Sequence, residues 1–354
     1  MSLRMRRPVL NVGLFAAALA LSLLLAEAGL RLSGFGFEPM LETVEFGWPN
    51  PAVREKLYRS DPDLFWVRPD YRERLDAMAE RRPHILFLGD SCTEWGQYPI
   101  LLLSRVQRRH PDLVLVSGVL GTAGWSSYQG LQQLTRDVLP LRPQVVTIYF
   151  GWNDHWRTFG PEDREIHSLA RWSYGFAGGL RLGQLILKTR FAVHERSGTS
   201  SLRVSAEDFR ENLRAMVRLA RERGVIPVLL TAPTNHEVGA EPEHLATRWI
   251  ADLDDLIPLH QRYVSIVRDV ARSEFALLCD LASHFERLPR NVLRDDYFAD
   301  DGIHLTLQGD AKVAEILDGC FEASAELRGV WSSEARAERT PSVTAQHADS
   351  VVAY

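Results

Sequence analysis

His84-Ile85-Leu86-Phe87-Leu88-Gly89-Asp90-Ser91-Cys92-Thr93-Glu94-Trp95-Gly96 is the stretch on which the fold turns. The apolar run Ile85–Leu88 stops abruptly at Gly-Asp-Ser. A strand buried on both faces does this when it reaches the carboxyl edge of a parallel sheet. Ligands of open α/β sheets bind outside that edge. A serine there, with a helix starting behind it, has its hydroxyl exposed beside backbone N–H groups that can receive an oxyanion. Taken alone, the tripeptide equally fits residues that only cap the next helix. The rest of the chain must supply a base, an acid to orient it and further oxyanion donors.

Working outward, short apolar strands are predicted at Ile85–Leu88, Leu113–Val116, Val145–Tyr149, Pro227–Thr231 and Ala276–Leu278. Helical patterns lie between them, at Ile100–Arg109, Tyr128–Val138, Ala206–Arg223 and Leu259–Arg272, with a last helix from Leu307 to about Leu327. Ser205 with Asp208 resembles a capping box, and Gly224 is placed to stop that helix. Strands alternating with helices predict a parallel sheet covered by helices. Residues 155–204 break the alternation with a connection far longer than usual. We read them as a partly helical insertion, either a substrate lid or an ordinary packed helical pair.

At the N-terminus, Arg4, Arg6 and Arg7 precede an apolar run from Val9 to Ala26, close to the ~20 residues a bilayer-spanning helix needs. Cations before the run and few after it predict residues 1–8 in the cytoplasm, a signal anchor over 9–29 and the remainder outside. Cleavage at Ala26-Glu27-Ala28, releasing a secreted protein, is the alternative. Residues 30–83 read as a linker that wraps onto the domain, with Phe65 and Trp66 buried against the sheet. Residues 330–354 are polar, lack periodicity and read as a disordered tail.

The 354 residues, 45% hydrophobic, suffice for a sizeable core. A net charge of −5 offers no basic field for nucleic acid. The three cysteines, Cys92, Cys279 and Cys320, are odd in number, far apart and without C-x-x-C spacing. That pattern argues against a disulfide framework and against a zinc site. Cys92 reads as a small residue at a crowded strand-to-helix turn.

Each predicted strand end bears something reactive. After the second comes Gly121-Thr122-Ala123-Gly124-Trp125-Ser126-Ser127-Tyr128-Gln129, where a glycine lets backbone N–H approach a ligand. After the third comes Gly151-Trp152-Asn153-Asp154, whose asparagine offers an amide N–H to an oxyanion. Late in the chain comes Asp301-Gly302-Ile303-His304. This spacing lets Asp301 accept a hydrogen bond from one imidazole nitrogen, leaving the other for a serine proton. His155 and His236 follow strand ends and, with Trp152 and Trp156, are candidates to line a substrate pocket. A metal site built from those histidines is not favoured, and no cofactor is called for.

The order Gly-Asp-Ser, Gly, Gly-x-Asn-Asp, Asp-x-x-His resembles the four sequence blocks of the SGNH hydrolase superfamily, also called the GDSL esterase/lipase family. The matching region runs from about His84 to Leu327. The resemblance implies a three-layer α/β/α, flavodoxin-like fold with a central parallel sheet of about five strands, in a domain over 84–329. It implies Ser91, His304 and Asp301 as catalytic residues, and an oxyanion hole from Ser91, Gly124 and Asn153. Gly118 or Gly121 remain alternatives to Gly124. Cys92 stands where the second family name has leucine. Gly-Trp-Ser-Ser-Tyr-Gln, the N-terminal anchor and the Asp61-Pro62-Asp63-Leu64-Phe65-Trp66 segment look like a membrane-anchored bacterial subgroup.

The expectation is a serine ester hydrolase working through an acyl-enzyme on an extracytoplasmic ester, an acylated glycan or a lipid being the candidate substrates. O-acyl transfer to an envelope polysaccharide, lysophospholipase or thioesterase activity, and non-catalytic glycan binding are the alternatives. The sequence does not address oligomeric state.

Overall fold

The computed structural model describes residues 6–37, 57–111, 115–158, 161–174, 179–196, 201–246 and 249–331. Residues 1–5, residues 38–56 of the expected linker and nearly all of the expected tail lie outside the described residues. The chain forms two compact units, Val67–Thr158 with Ser200–Tyr354, and Met1–Trp66 with Phe159–Thr199.

The larger unit is built on five parallel strands: β1 Ile85–Gly89, β2 Ser117–Val119, β3 Val145–Tyr149, β4 Ile226–Leu230 and β5 Leu277–Cys279. Their spatial order is β2-β1-β3-β4-β5. Ile85 pairs with both Ser117 and Val145, Val145 with Ile226, and Val228 with Leu277. This is the doubly wound, flavodoxin-like order, and its direction reverses between β1 and β3. Ser91, immediately after β1, therefore stands at the switch point where such sheets bind ligands.

Every residue of β1 and β3 is buried, as strands covered on both faces require. Ile85, Phe87, Val145, Tyr149, Val228 and Leu230 share a core with Tyr98, Leu102 and Val106 of the helix Tyr98–Arg109 and with Val313, Leu317 and Phe321 of the helix Leu307–Ala323. The alternate residues Leu86, Leu88, Val146, Ile148 and Leu229 are equally buried and, by the pleat, face the opposite layer. The helices Ala206–Glu222 and Leu256–Ser273 pack against each other. Ser205 Oγ accepts the Asp208 N–H at 3.1 Å, and Gly224 takes the left-handed φ of +70° that ends the first of these helices.

Two expectations need correction. The second strand is Ser117–Val119, displaced from the apolar run read at Leu113–Val116, of which 113–114 lie outside the described residues. Ser117, Gly118 and Val119 pair with Ile85, Leu86 and Phe87, and Gly118 lies close against the Met78 and Leu86 side chains. The helix Tyr71–Arg81, in the stretch read as a linker wrapping onto the domain, belongs with the sheet. Tyr71 Oη donates to Asp137 Oδ2 at 2.8 Å and Arg74 Nη2 to the Val119 carbonyl at 2.9 Å.

The second correction concerns the cysteines: Cys279 and Cys320 form a disulfide, with Cα atoms 5.9 Å apart. Forty-one residues separate them in sequence, but β5 and the helix Leu307–Ala323 run side by side. Closing a loop of that length stabilises a protein by about 3–4 kcal/mol in the chain-entropy account. Reduction, or Cys320→Ser, is therefore expected to lower the urea midpoint of the full chain by that equivalent. An unchanged midpoint under reductant would contradict the bond.

In the smaller unit the helix Arg6–Leu32 is followed, after a long interval in sequence, by the helices Asp163–Tyr174 and Arg181–Arg196. Within the first of these, Asn11–Leu32 is long and apolar enough to cross a membrane by length and composition, with mean hydropathy 2.0. Phe65 and Trp66 are buried, and the Phe65 ring lies 6.3 Å from His167.

Candidate active site

The turn after β1 is shaped by Gly89. A Cβ at this residue would sit 2.1 Å from Thr93 Oγ1 and 2.8 Å from the Tyr149 carbonyl, so the chain could not fold back into the short helix Ser91–Glu94. Asp90 caps that helix, its Oδ1 accepting the Cys92 N–H at 2.9 Å. Its Oδ2 accepts from Asn153 Nδ2 at 3.2 Å, so one carboxylate holds both the serine turn and the asparagine. Burial pushes the Asp90 carboxyl up to about 6, against the pull of the hydrogen bonds it accepts.

Ser91 is 9% exposed, and its Oγ lies 2.8 Å from His304 Nε2. His304 Nδ1 donates to Asp301 Oδ2 at 2.5 Å, while Asp301 Oδ1 accepts the Ile303 and His304 N–H groups at 2.9 Å each. Burial alone would raise the Asp301 pKa; the hydrogen bond and charge of His304 and the two backbone donors outweigh it and hold the carboxyl at about 2. Residues more than two hundred positions apart are thus joined in one line, serine to imidazole to carboxylate.

The Asp301 loop is buttressed from the segment after β4. His236 Nε2 donates to the Asp301 carbonyl at 2.8 Å, and its ring lies where a Cβ on Gly302 would be, 2.7 Å from Cδ2. Gly302 itself has φ +69°. The Gly302 carbonyl accepts from the Asn235 N–H at 3.1 Å. His236, read from sequence as a pocket residue, is instead a brace beneath the loop that carries Asp301 and His304.

Trp152, His155 and Trp156 also depart from the pocket-lining expectation, because all three are buried in the core. The Trp152 ring stacks on His260 with centroids 3.9 Å apart and on Trp156 at 5.9 Å. His260 Nε2 donates to the Ala232 carbonyl at 2.9 Å, which leaves its Nδ1 to accept from His155 Nε2 at 3.1 Å. Burial pushes His260 down to about 3 and His155 well below its ordinary value, so both rings are neutral. Position after a strand does not determine which way a side chain turns; here Asn153 meets Asp90 while its neighbours turn into the core. Among the described residues, no group of three or more His, Cys, Asp or Glu side chains is arranged to hold a metal ion.

The glycine block is clamped from several sides. Glu94 Oε2 accepts the Ala123 N–H at 2.6 Å and Oε1 accepts from Arg68 Nη1 at 3.0 Å. Arg203 Nη1 donates to the Gly124 carbonyl at 2.6 Å, and Asp154 Oδ1 accepts the Ser127 N–H at 2.9 Å. Gly124 has φ +79°. Gly121 lies directly against the serine turn, where a Cβ would come within 2.7 Å of the Glu94 nitrogen and 3.0 Å of the Asp90 carbonyl. Among the described residues, the N–H groups of Ser91, Gly121 and Gly124 donate no hydrogen bond.

Two residues escaped sequence reasoning. Glu94 ties the glycine block to the serine helix; its signal was a carboxylate three residues after Ser91. Trp95 is 52% exposed, and its ring centroid is 4.9 Å from that of His304. Its signal was a tryptophan one turn past the candidate nucleophile.

The model of the GDSL-like lipase/acylhydrolase family matches residues 87–312. No curated protein matches. Similar solved structures include a lipase/acylhydrolase from Enterococcus faecalis, 17% identical, with 68% of this chain and 96% of that one covered and a TM-score of 0.45. A GDSL-like lipase from Bacteroides thetaiotaomicron is 16% identical over 73% of this chain and 98% of its own, TM-score 0.45. An acetylxylan esterase from Geobacillus stearothermophilus is 18% identical over 69% and 93%, TM-score 0.42.

Proposed function

The chain belongs to the GDSL-like lipase/acylhydrolase family and is a carboxylic ester hydrolase, and on that premise we propose that it works through a covalent acyl-enzyme on Ser91. The observation that carries this reading is the line Ser91 Oγ to His304 Nε2 at 2.8 Å and His304 Nδ1 to Asp301 Oδ2 at 2.5 Å. His304 takes the Ser91 hydroxyl proton as the oxygen attacks the ester carbonyl. The ionised Asp301 holds the tautomer that leaves Nε2 free and stabilises the imidazolium. The oxyanion is received by the Ser91 and Gly124 N–H groups and by Asn153 Nδ2, which Asp90 orients. His304 then protonates the departing alkoxide, and water, activated by the same imidazole, releases the acid and regenerates Ser91.

Asn153→Ala removes one oxyanion donor. Losing such a donor costs roughly 10²–10³ in kcat, so turnover of p-nitrophenyl acetate by the full chain is expected to fall by that factor with KM little changed. A wild-type kcat in this variant would remove Asn153 from the proposed mechanism.

We place the reaction outside the cytoplasm, on a protein held at the membrane by the helix Arg6–Leu32. The Cys279–Cys320 disulfide supports this, since such bonds persist in oxidising compartments. Retention of the helix is supported by Glu27, whose carboxylate accepts the Arg181 and Leu182 N–H groups at 3.0 and 2.9 Å. Cleavage at Ala28 would remove that cap. For the substrate, the exposed Trp95 ring beside His304 favours an O-acetylated glycan, on which a sugar face meets the indole. Acetate release from acetylated glycans, compared with hydrolysis of long-chain acyl esters, tests this choice; a preference for long chains would reverse it.

A further inference from the structure

The helix Arg181–Arg196 carries an apolar stripe that is exposed among the described residues. Leu185 and Val193 are exposed on one face at i and i+8, with Thr189 between them, and Ile186 and Arg190 lie beside them. Ile186 is 51% and Val193 61% exposed. Lys188 and Arg190 border the stripe on its two sides, with Lys188 Nζ 5.7 Å from the Phe35 ring centroid. An apolar face edged by cations is the pattern of a helix lying in a membrane interface.

The same helix is fastened to the end of the N-terminal apolar helix. Glu27 caps its first two N–H groups, Arg31 Nη2 donates to the Gly179 carbonyl at 2.6 Å, and Gln184 Oε1 accepts the Phe37 N–H at 3.1 Å. The run Val9–Ala26 is about 27 Å long at 1.5 Å per residue, close to the roughly 30 Å of hydrocarbon in a bilayer. Glu27 and Arg31 therefore fall where the span leaves the hydrocarbon, and the start of the helix Arg181–Arg196 is held at that level.

We infer that the helix Arg181–Arg196 is a second membrane contact, lying along the outer surface of the bilayer with Leu185, Ile186 and Val193 at the acyl boundary and Lys188 and Arg190 among anionic headgroups. This rests on the reading of Arg6–Leu32 as a retained anchor. The anchor holds the helix at the bilayer surface, and the arrangement of charge and apolar side chains matches that surface. The insertion is then a part of the membrane attachment, whose occupant is lipid.

The test uses the full chain in phosphatidylcholine vesicles, with or without phosphatidylglycerol. Single cysteines replace Leu21, Ile186 or Val193, all exposed, and carry an environment-sensitive fluorophore; the three native cysteines are the buried Cys92 and the disulfide pair. Spin-labelled lipid is expected to quench all three positions, with stronger quenching at Ile186 and Val193 when phosphatidylglycerol is present. Quenching at Leu21 with none at Ile186 and Val193 overturns the surface contact and leaves the anchor standing. Quenching at none of the three overturns the anchor and the contact together. Equal quenching with and without phosphatidylglycerol removes the role given to Lys188 and Arg190. Far-ultraviolet circular dichroism matching the parent chain establishes that each variant is folded.

Discussion

Replacing Ser91 by alanine is expected to lower kcat for p-nitrophenyl acetate by about 10⁶-fold, the loss seen when a serine nucleophile is removed from a preorganised site. The oxygen removed is the atom that would form the acyl bond, and no other group replaces it. Cys92, next in the chain, is buried, and burial with nearby carboxylates pushes its thiol well above the ordinary value, so it does not supply a thiolate. The substitution deletes one hydroxyl whose partner, His304 Nε2, is free to meet water, so the fold is expected to persist. A fluorophosphonate probe should label the parent chain at Ser91 and leave Ser91→Ala unlabelled. Unchanged hydrolysis in Ser91→Ala would end the acyl-enzyme reading.

Asp301→Asn is expected to cost about 10⁴-fold in kcat, the penalty measured when the triad aspartate of a serine protease becomes asparagine. The amide keeps an oxygen to accept the Ile303 and His304 N–H groups, so the loop retains its shape. The nitrogen then faces His304 Nδ1, two donors cannot share a hydrogen bond, and the imidazole turns to the tautomer whose Nε2 carries the proton. That tautomer cannot accept from Ser91. A second readout follows from the depressed pKa. The Asp301 carboxyl is held at about 2 against an ordinary 3.8, so the ionised form is favoured by folding. Its stabilising contribution is complete above pH 3.8 and disappears as pH falls towards about 2. The parent chain should therefore lose more stability to urea across that window than Asp301→Asn, whose side chain does not titrate. Parallel pH profiles for the two proteins would contradict the Asp301–His304 pairing.

Sequence legibility differed sharply between parts of the molecule. β1, β3 and β4 were readable because a strand buried on both faces is an uninterrupted apolar run, and this is a local property. The edge strand was misplaced because an edge need not be apolar: Ser117-Gly118-Val119, and not the apolar run before it, pairs with Ile85-Leu86-Phe87. The blocks at Gly89-Asp90-Ser91 and Gly151-Trp152-Asn153 stood out because each follows an apolar run with residue types rare in such places, and Asp301-Gly302-Ile303-His304 because its spacing pairs a carboxylate with an imidazole. What each side chain does there was not local. Asp90 reads as a cap, and it is one, but the structure also sets it against Asn153. His236 and His155 occupy similar sequence contexts, yet one braces the Asp301 loop and the other is sealed against His260.

The amino-acid sequence by itself determined the alternation of strand and helix, the apolar N-terminal span, the presence of a serine and an asparagine at strand ends, and an Asp-x-x-His pair late in the chain. These rest on periodicity and on short-range stereochemistry, which act within a few residues. Only the tertiary structure decided the strand order that puts Ser91 at the sheet's switch point and His304 2.8 Å from it. It alone joined Cys279 to Cys320, turned Trp152 and His155 inward and left Trp95 exposed beside His304. Those outcomes depend on which distant segments pack side by side, and no pattern along the chain records the register of a parallel sheet whose neighbours are separated by whole helices.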